Sequence, residues 1–222
     1  MPSSTVEDYV KQIYLEQLAA PEGQALVSMG RLANAMDVVP GTATAMVKAL
    51  ADAGLVDYEP RGGARLTRGG EKLALHVLRR HRLVELFLVK FLGLDWSEVH
   101  DEAEELEHAI SDKVLERIDV ALGRPSVDPH GDPIPSAKGK VDESRHASLA
   151  DCEMNRAYRV ARVMDQDALF LQFVHRCGLT PGVEVTVEVR DALADAVWVR
   201  AKDRRAVTLG TAAAAKIRVE EA

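Results

Sequence analysis

From Ser28 to Thr67 the chain carries two short amphipathic runs one tight turn apart, followed at once by two short segments joined through Pro60-Arg61-Gly62-Gly63. Few folds accept that order. Ser28 is placed to cap a helix over Met29–Met36, and Pro40 precedes a second run, Thr42–Ala53, that closes at Gly54. Leu55–Tyr58 and Ala64–Thr67 read as a two-stranded ribbon with a basic, glycine-rich tip. Ahead of them Val6, Tyr9, Val10, Ile13, Tyr14 and Leu18 repeat at helical spacing, with Thr5 at the capping position and a break at Pro21/Gly23. Helix, helix-turn-helix and ribbon together predict a winged helix over residues 1–70.

In a helix-turn-helix the second helix presents its first residues to base edges in the major groove, so short polar side chains there have a mechanical reason. Gly41, Thr42, Thr44 and Lys48 occupy those places, and Arg61, Arg65 and Arg68 lie on or beside the wing, within reach of phosphates or the minor groove. With so few donors on the helix, readout by thymine-methyl contact, water and DNA shape is expected. The alternative is a winged helix that makes only protein contacts.

The formal net charge of −7 argues against a nucleic-acid partner until its distribution is considered. Residues 1–70 hold six basic and eight acidic groups, whereas residues 95–108 hold seven acids and no base. Such a cluster is either a solvated face or a cation site. The 47% hydrophobic content supports packed cores, and no stretch is apolar for long enough to span a bilayer, so a cytoplasmic address is expected. Cys152 and Cys177 form no framework and no zinc spacing, and read as ordinary thiols.

Gly69-Gly70 introduces a long helix to about Leu92, and Trp96–His108 continues as amphipathic helix to Leu122. Leu83, Leu86, Phe87, Val89 and Phe91 make a stripe broader than one small domain covers, which predicts packing between the subunits of a dimer. Four prolines between Gly123 and Gly139 prevent regular structure, leaving a linker or a draped loop. Beyond about Arg159 a helix over Asp167–Cys177 leads into strands at Val183–Val189, Ala196–Arg200, Ala206–Leu209 and Ile217–Val219, a small β-barrel. The fold class is thus mainly α with a small β domain, divided at 1–70, 71–140 and 141–222.

Residues three or four apart share a helix face. Glu104, Glu107 and His108 therefore converge, His100 lies one turn before Glu104, and His81 and Glu85 repeat the spacing on the preceding helix. Carboxylates and imidazoles in one layer are what a first-row divalent cation requires.

These residues resemble the diphtheria toxin repressor family of iron- and manganese-dependent regulators. The resemblance runs through Glu7-Asp8-Tyr9, Asp52-Ala53-Gly54-Leu55-Val56, His81-Arg82-Leu83-Val84-Glu85, Val99-His100-Asp101-Glu102-Ala103, Glu107-His108 and His130-Gly131-Asp132-Pro133-Ile134-Pro135, and so covers essentially the whole chain. It implies a homodimer with a winged helix, a helical dimerisation and metal-binding domain and a C-terminal SH3-like barrel. It also implies a primary metal site from Asp8, Glu104, Glu107 and His108, and an ancillary site from His81, Glu85 and His100 with Asp167 from the barrel. Iron-type members place methionine and cysteine where this chain has Asp8 and Glu104. Hard carboxylates there favour Mn(II), with Fe(II) second.

The chain departs from the family pattern in three respects. Lys11 stands where short manganese regulators have a metal-binding glutamate, Asp165-Gln166-Asp167 matches only loosely, and Asp128 and Asp132 fall where iron-type members hold an anion beside Arg82 with neutral polar residues. The implied function is metal-activated binding of a palindromic double-stranded operator that controls metal-uptake genes, with no membrane and no small-molecule substrate involved. A ferritin-like di-metal enzyme is the alternative from another class. It needs two Glu-x-x-His pairs on bundled helices, and within the helical region 71–122 only Glu105/His108 makes one. A metal-buffering protein with a vestigial DNA domain is the other.

Overall fold

The computed structural model describes residues 3–20, 26–142 and 144–222. The break at Pro21/Gly23 lies outside the described residues. The chain folds as two compact units, Met1–His81 with Pro135–Lys140, and Arg82–Ile134 with Val141–Ala222.

In the first unit, helix α1 (Ser4–Ala19) is capped by Ser3, whose side chain accepts from the Val6 amide, two residues earlier than Thr5 suggests. Helix α2 (Met29–Ala35) starts under Ser28 as expected, and Pro40 is the first residue of α3 (Pro40–Asp52), where its missing amide costs nothing. Tyr9, Val10 and Ile13 pack with Leu32, Val47, Leu50 and Val56 in one core. Strands β1 (Val56–Glu59) and β2 (Gly63–Leu66) pair antiparallel, and Val27 adds a bridge to Ala64. At Gly63 φ is +135°, and a Cβ would lie 2.5 Å from the Val27 carbonyl oxygen, so the ribbon meets Val27 only with glycine there.

Helix α4 (Arg68–Phe87) runs through both units and passes into a π-helical turn at Leu88–Leu92, which ends on left-handed Gly93. In the second unit, α5 (Val99–Glu107) and α6 (Asp112–Ala121) are separate helices rather than the continuous run the spacing predicts. Ser111 accepts from the Val114 amide and starts a new helix, a capping signal that the apolar periodicity on either side obscures. Leu83 and Leu86 are covered by Leu115, Ile118 and Ile134 of the same chain. Phe91, Leu92, Leu106, Val114 and Val120 are the large apolar residues exposed in this helical region.

The rest of the unit is a six-stranded antiparallel sheet in the order β3-β8-β4-β5-β6-β7, built from β3 (Ala147–Ser148), β4 (Ala157–Val163), β5 (Glu184–Asp191), β6 (Ala196–Ala201), β7 (Val207–Gly210) and β8 (Ile217–Glu221). Helices α7 (Ala168–Cys177) and α8 (Thr211–Ala215) complete this SH3-like domain. Its core joins Leu171, Val174, Val187, Val199 and Ile217 with Trp96, and both cysteines are free. Strand β4 is absent from the sequence expectation for a physical reason. A bulge between Val160 and Arg162 puts Tyr158, Val160 and Val163 on the buried side, which breaks the period of two. No described helix is long and apolar enough to cross a membrane.

Candidate metal centre and nucleic-acid interface

The predicted reading residues sit on the start of α3 and on the ribbon. Gly41, Thr42 and Lys48 are exposed, whereas Thr44 is half-buried and donates its hydroxyl to the Pro40 carbonyl at 2.7 Å. Thr44 therefore offers its methyl and a lone pair rather than a donor. Arg61 is exposed at the ribbon tip with φ +66°, and Arg65 pairs across the ribbon with Asp57 at 3.2 Å. Arg68 is exposed at the start of α4.

Asp8 is half-buried on α1, one residue after buried Glu7, which lies 3.6 Å from Arg80. Lys11 is buried on the same helix, and His81 is buried on α4. In the second unit Glu107 is fully buried, with His108 Nε2 3.5 Å from its Oε1. His100 stands with Nδ1 3.4 Å from Glu85 Oε1 and Nε2 3.7 Å from Glu104 Oε1. Helical spacing brings His100 and Glu104 together on α5, and packing of α4 against α5 adds Glu85. Asp167 is exposed at the N-cap of α7, where Oδ1 accepts the Phe170 amide at 3.0 Å. No group of three metal-ligating side chains among the described residues includes it.

The most confined constellation involves a residue that helical spacing cannot reveal. The Pro-rich segment is a draped loop, and it buries Asp128, His130 and Asp132. One atom each from Glu85, Asp128 and His130 lie within 4.8 Å of one another, all buried. His130 Nε2 is 2.8 Å from the Trp96 carbonyl oxygen. A carbonyl can only accept, so Nε2 carries a proton, and in the tautomer that binds a cation Nδ1 is the lone pair. That lone pair has no hydrogen-bond partner among the described residues, and Glu85 Oε2 lies 3.8 Å away. An imidazole whose far nitrogen donates to a backbone carbonyl while its near nitrogen faces two carboxylates has the outer-shell arrangement of a metal ligand. The donor set fits a divalent cation.

Asp128 Oδ1 accepts the amides of His130 at 2.8 Å and Asp132 at 2.9 Å, which shapes the loop, and Oδ2 lies 3.6 Å from Arg82 Nε. Burial, then the charges of Asp132 and Glu85, push the Asp128 carboxyl well above the usual carboxylate range; Arg82 offsets this only in part. Both loop carboxylates stand beside Arg82, with Asp132 Oδ1 at 3.9 Å. The signal for His130 lies in the His130-Gly131-Asp132 string, which carries no helical or strand period.

A winged helix, acid- and histidine-rich helices and an SH3-like barrel together define a metal-responsive DNA-binding regulator. Comparison with known proteins agrees. Residues 1–64 match the N-terminal DNA-binding domain of the iron-dependent repressors, residues 67–136 their metal-binding and dimerisation domain, and residues 147–221 the FeoA domain. The chain is 32% identical over 197 residues to the iron-dependent repressor IdeR of Mycobacterium tuberculosis, covering 83% of this chain and 84% of that one. It is 39% identical over 118 residues to the regulator MntR of Lysinibacillus sphaericus, covering 53% of this chain and 81% of the relative. Among solved structures, a manganese-dependent transcriptional repressor in complex with manganese superposes with a TM-score of 0.87 at 39% identity, over 98% of this chain and all of that one. ScaR with bound Zn2+ gives 0.78 at 32% identity, over the full length of both. The chain belongs to the iron-dependent repressor family, the metal-dependent transcriptional repressors of diphtheria toxin repressor type.

Proposed function

We propose that this repressor is switched by Mn(II), with Fe(II) second, and that the metal-loaded homodimer binds a palindromic operator to shut down metal uptake. Asp8, Glu104, Glu107 and His108 would hold the primary cation. Glu85 would hold a second, with His81 and His100 on the helical side, Asp167 as the barrel's own candidate ligand, and Asp128 and His130 on the loop side. A divalent cation supplies the positive charge that lets carboxylates crowded at one place remain ionised together. The observation that carries the reading is the buried Glu85/Asp128/His130 set, with its bare imidazole nitrogen aimed at a carboxylate.

Metal choice follows from the donors. Oxygen-rich sets with one or two imidazoles and no sulfur suit Mn(II), and selectivity against metals higher in the Irving–Williams order comes from geometry and ligand number. Asp8 lies on the DNA-reading unit and its proposed partners on the other, so the residues of a shared site would link cation occupancy to operator affinity. Gly41, Thr42, Thr44 and Lys48 would meet base edges, and Arg61 and Arg65 the backbone. Fluorescence anisotropy of a duplex selected from random-sequence DNA, titrated with Mn(II), Fe(II), Co(II) and Zn(II) in turn, tests this. Activation by Mn(II) at the lowest free-ion concentration relative to its availability supports the reading, and indifference to every ion contradicts it.

A further inference from the structure

We infer that the C-terminal barrel governs the buried cation site through two positioning residues, Arg162 and Gln166, which act through Asp132 to hold the turn that carries Asp128 and His130. The inference rests on the reading of Glu85, Asp128 and His130 as a cation site.

The turn is closed by its own last residue. The Asp128 amide donates to the Asp132 carbonyl at 3.0 Å, and the Asp132 amide donates back to Asp128 Oδ1. Where Asp132 sits therefore decides where the Asp128 carboxylate and the His130 ring sit. Asp132 is buried, and the barrel takes hold of both of its carboxylate oxygens. Gln166 Nε2 donates to Oδ2 at 2.7 Å, and Arg162 Nε forms a close ion pair with Oδ1. From the helical side Arg82 donates to the Pro133 carbonyl at 2.6 Å and faces the same Oδ1.

Backbone contacts run the same way. The Val163 amide donates to the His130 carbonyl at 2.9 Å. Gly131, at φ +86°, passes so close to β4 that a Cβ would lie 2.0 Å from the Ala161 carbonyl oxygen. Ala161 is the extra residue of the bulge, and a bulge re-aims the side chains that follow it. The local distortion of β4 thus makes room for Gly131 and places Arg162 at Asp132.

The barrel carboxylates nearest in sequence already have partners. Asp165 Oδ2 takes the Lys216 ammonium at 2.5 Å, and Asp165 Oδ1 takes the Asp167 amide. Asp167 caps α7. Gln166, between them, is the one that turns to the loop. Two guanidinium groups around Asp132 also neutralise a carboxylate that would otherwise repel Asp128.

Mn(II) titration of the full-length protein, with free Mn(II) counted by EPR, separates the possibilities. Wild type binds a primary and a second ion per chain, and His130→Gln or Asp128→Asn removes the second. Gln166→Ala, which changes no charge, and Arg162→Ala weaken the second ion about 10–100-fold, the usual effect of losing an outer-shell partner, while the first ion's Kd and the far-UV CD spectrum stay unchanged. Arg162→Lys restores part of the loss. If His130→Gln and Asp128→Asn both bind as many ions as wild type, the cation reading fails and the inference with it. If they lose one ion but Gln166→Ala and Arg162→Ala keep the wild-type second Kd, the positioning role alone is wrong. A parallel fall in both ions' affinities marks a general loosening and likewise overturns it.

Discussion

His130 donates its Nε2 proton to the carbonyl of Trp96 at 2.8 Å, and the two rings stack with centroids 5.5 Å apart. The imidazole is thereby fixed in tautomer and orientation, with Nδ1 presented to Glu85 and Asp128. An indole this near a proposed cation should report on it. In a Trp198→Phe background, which leaves Trp96 as the only tryptophan, Mn(II) should quench the emission, and His130→Gln should abolish the quenching. Emission indifferent to Mn(II) would place the ion elsewhere.

Asp128 makes stability depend on pH in a direction opposite to most carboxylates. Its folded value is raised, by burial first and then by Asp132 and Glu85. Below the unfolded value of about 3.9 both states keep the proton and nothing is lost. As pH rises through the raised folded value, ionisation becomes more costly in the folded state than in the unfolded one, so the metal-free protein loses stability. Asp128→Asn, which can still accept both loop amides, should stabilise the metal-free protein at pH 7 by about 1 kcal/mol or more. Denaturant melts across the pH range should show that gain fading toward pH 4.

Gly63→Ala strikes the ribbon. The new methyl meets the Val27 carbonyl oxygen at 2.5 Å, and φ +135° is strained for any side chain. Thermal unfolding should show a loss of about 2–3 kcal/mol. Operator binding should fall with it as the wing shifts.

Arg61 and Thr42 should separate affinity from specificity. Arg61→Ala at the ribbon tip should weaken binding to all duplexes alike and lower the salt slope by about one, as for a phosphate contact. Thr42→Ala should instead change which bases are preferred, read by selection from random-sequence DNA. Unchanged salt dependence for Arg61→Ala would remove it from the interface.

Legibility followed periodicity. The winged helix was readable because Ser28, Pro40 and Gly54 punctuate amphipathic runs, and the proposed helical ligands because His100 lies one turn before Glu104, and Glu104 shares a face with Glu107 and His108. Ser111 broke a run that looked continuous, since a cap is a single residue between two apolar patterns. The β4 bulge hid a strand by shifting its alternation at Ala161. The resemblance placed Asp128 and Asp132 beside Arg82, but the approach of His130 and Asp128 to Glu85 left no trace in the spacing, for a deeper reason. Loop residues are placed by tertiary hydrogen bonds, here from Arg82, Arg162 and Gln166, and no local period records those. Asp167 was legible as a carboxylate in a loosely matching segment, and its second role as the cap of α7 shows only in the bond that Oδ1 accepts from the Phe170 amide.

In the proposed switch Asp8 would share a cation with Glu104, Glu107 and His108, so that occupancy and operator affinity would be one equilibrium. Operator affinity of wild type and Asp8→Ala, measured by fluorescence anisotropy with and without saturating Mn(II), tests it most directly. Mn(II) should tighten wild-type binding by about 5–150-fold, the range of ordinary allosteric coupling, and should leave Asp8→Ala nearly unaffected. Equal enhancement of both proteins would rule that switch out.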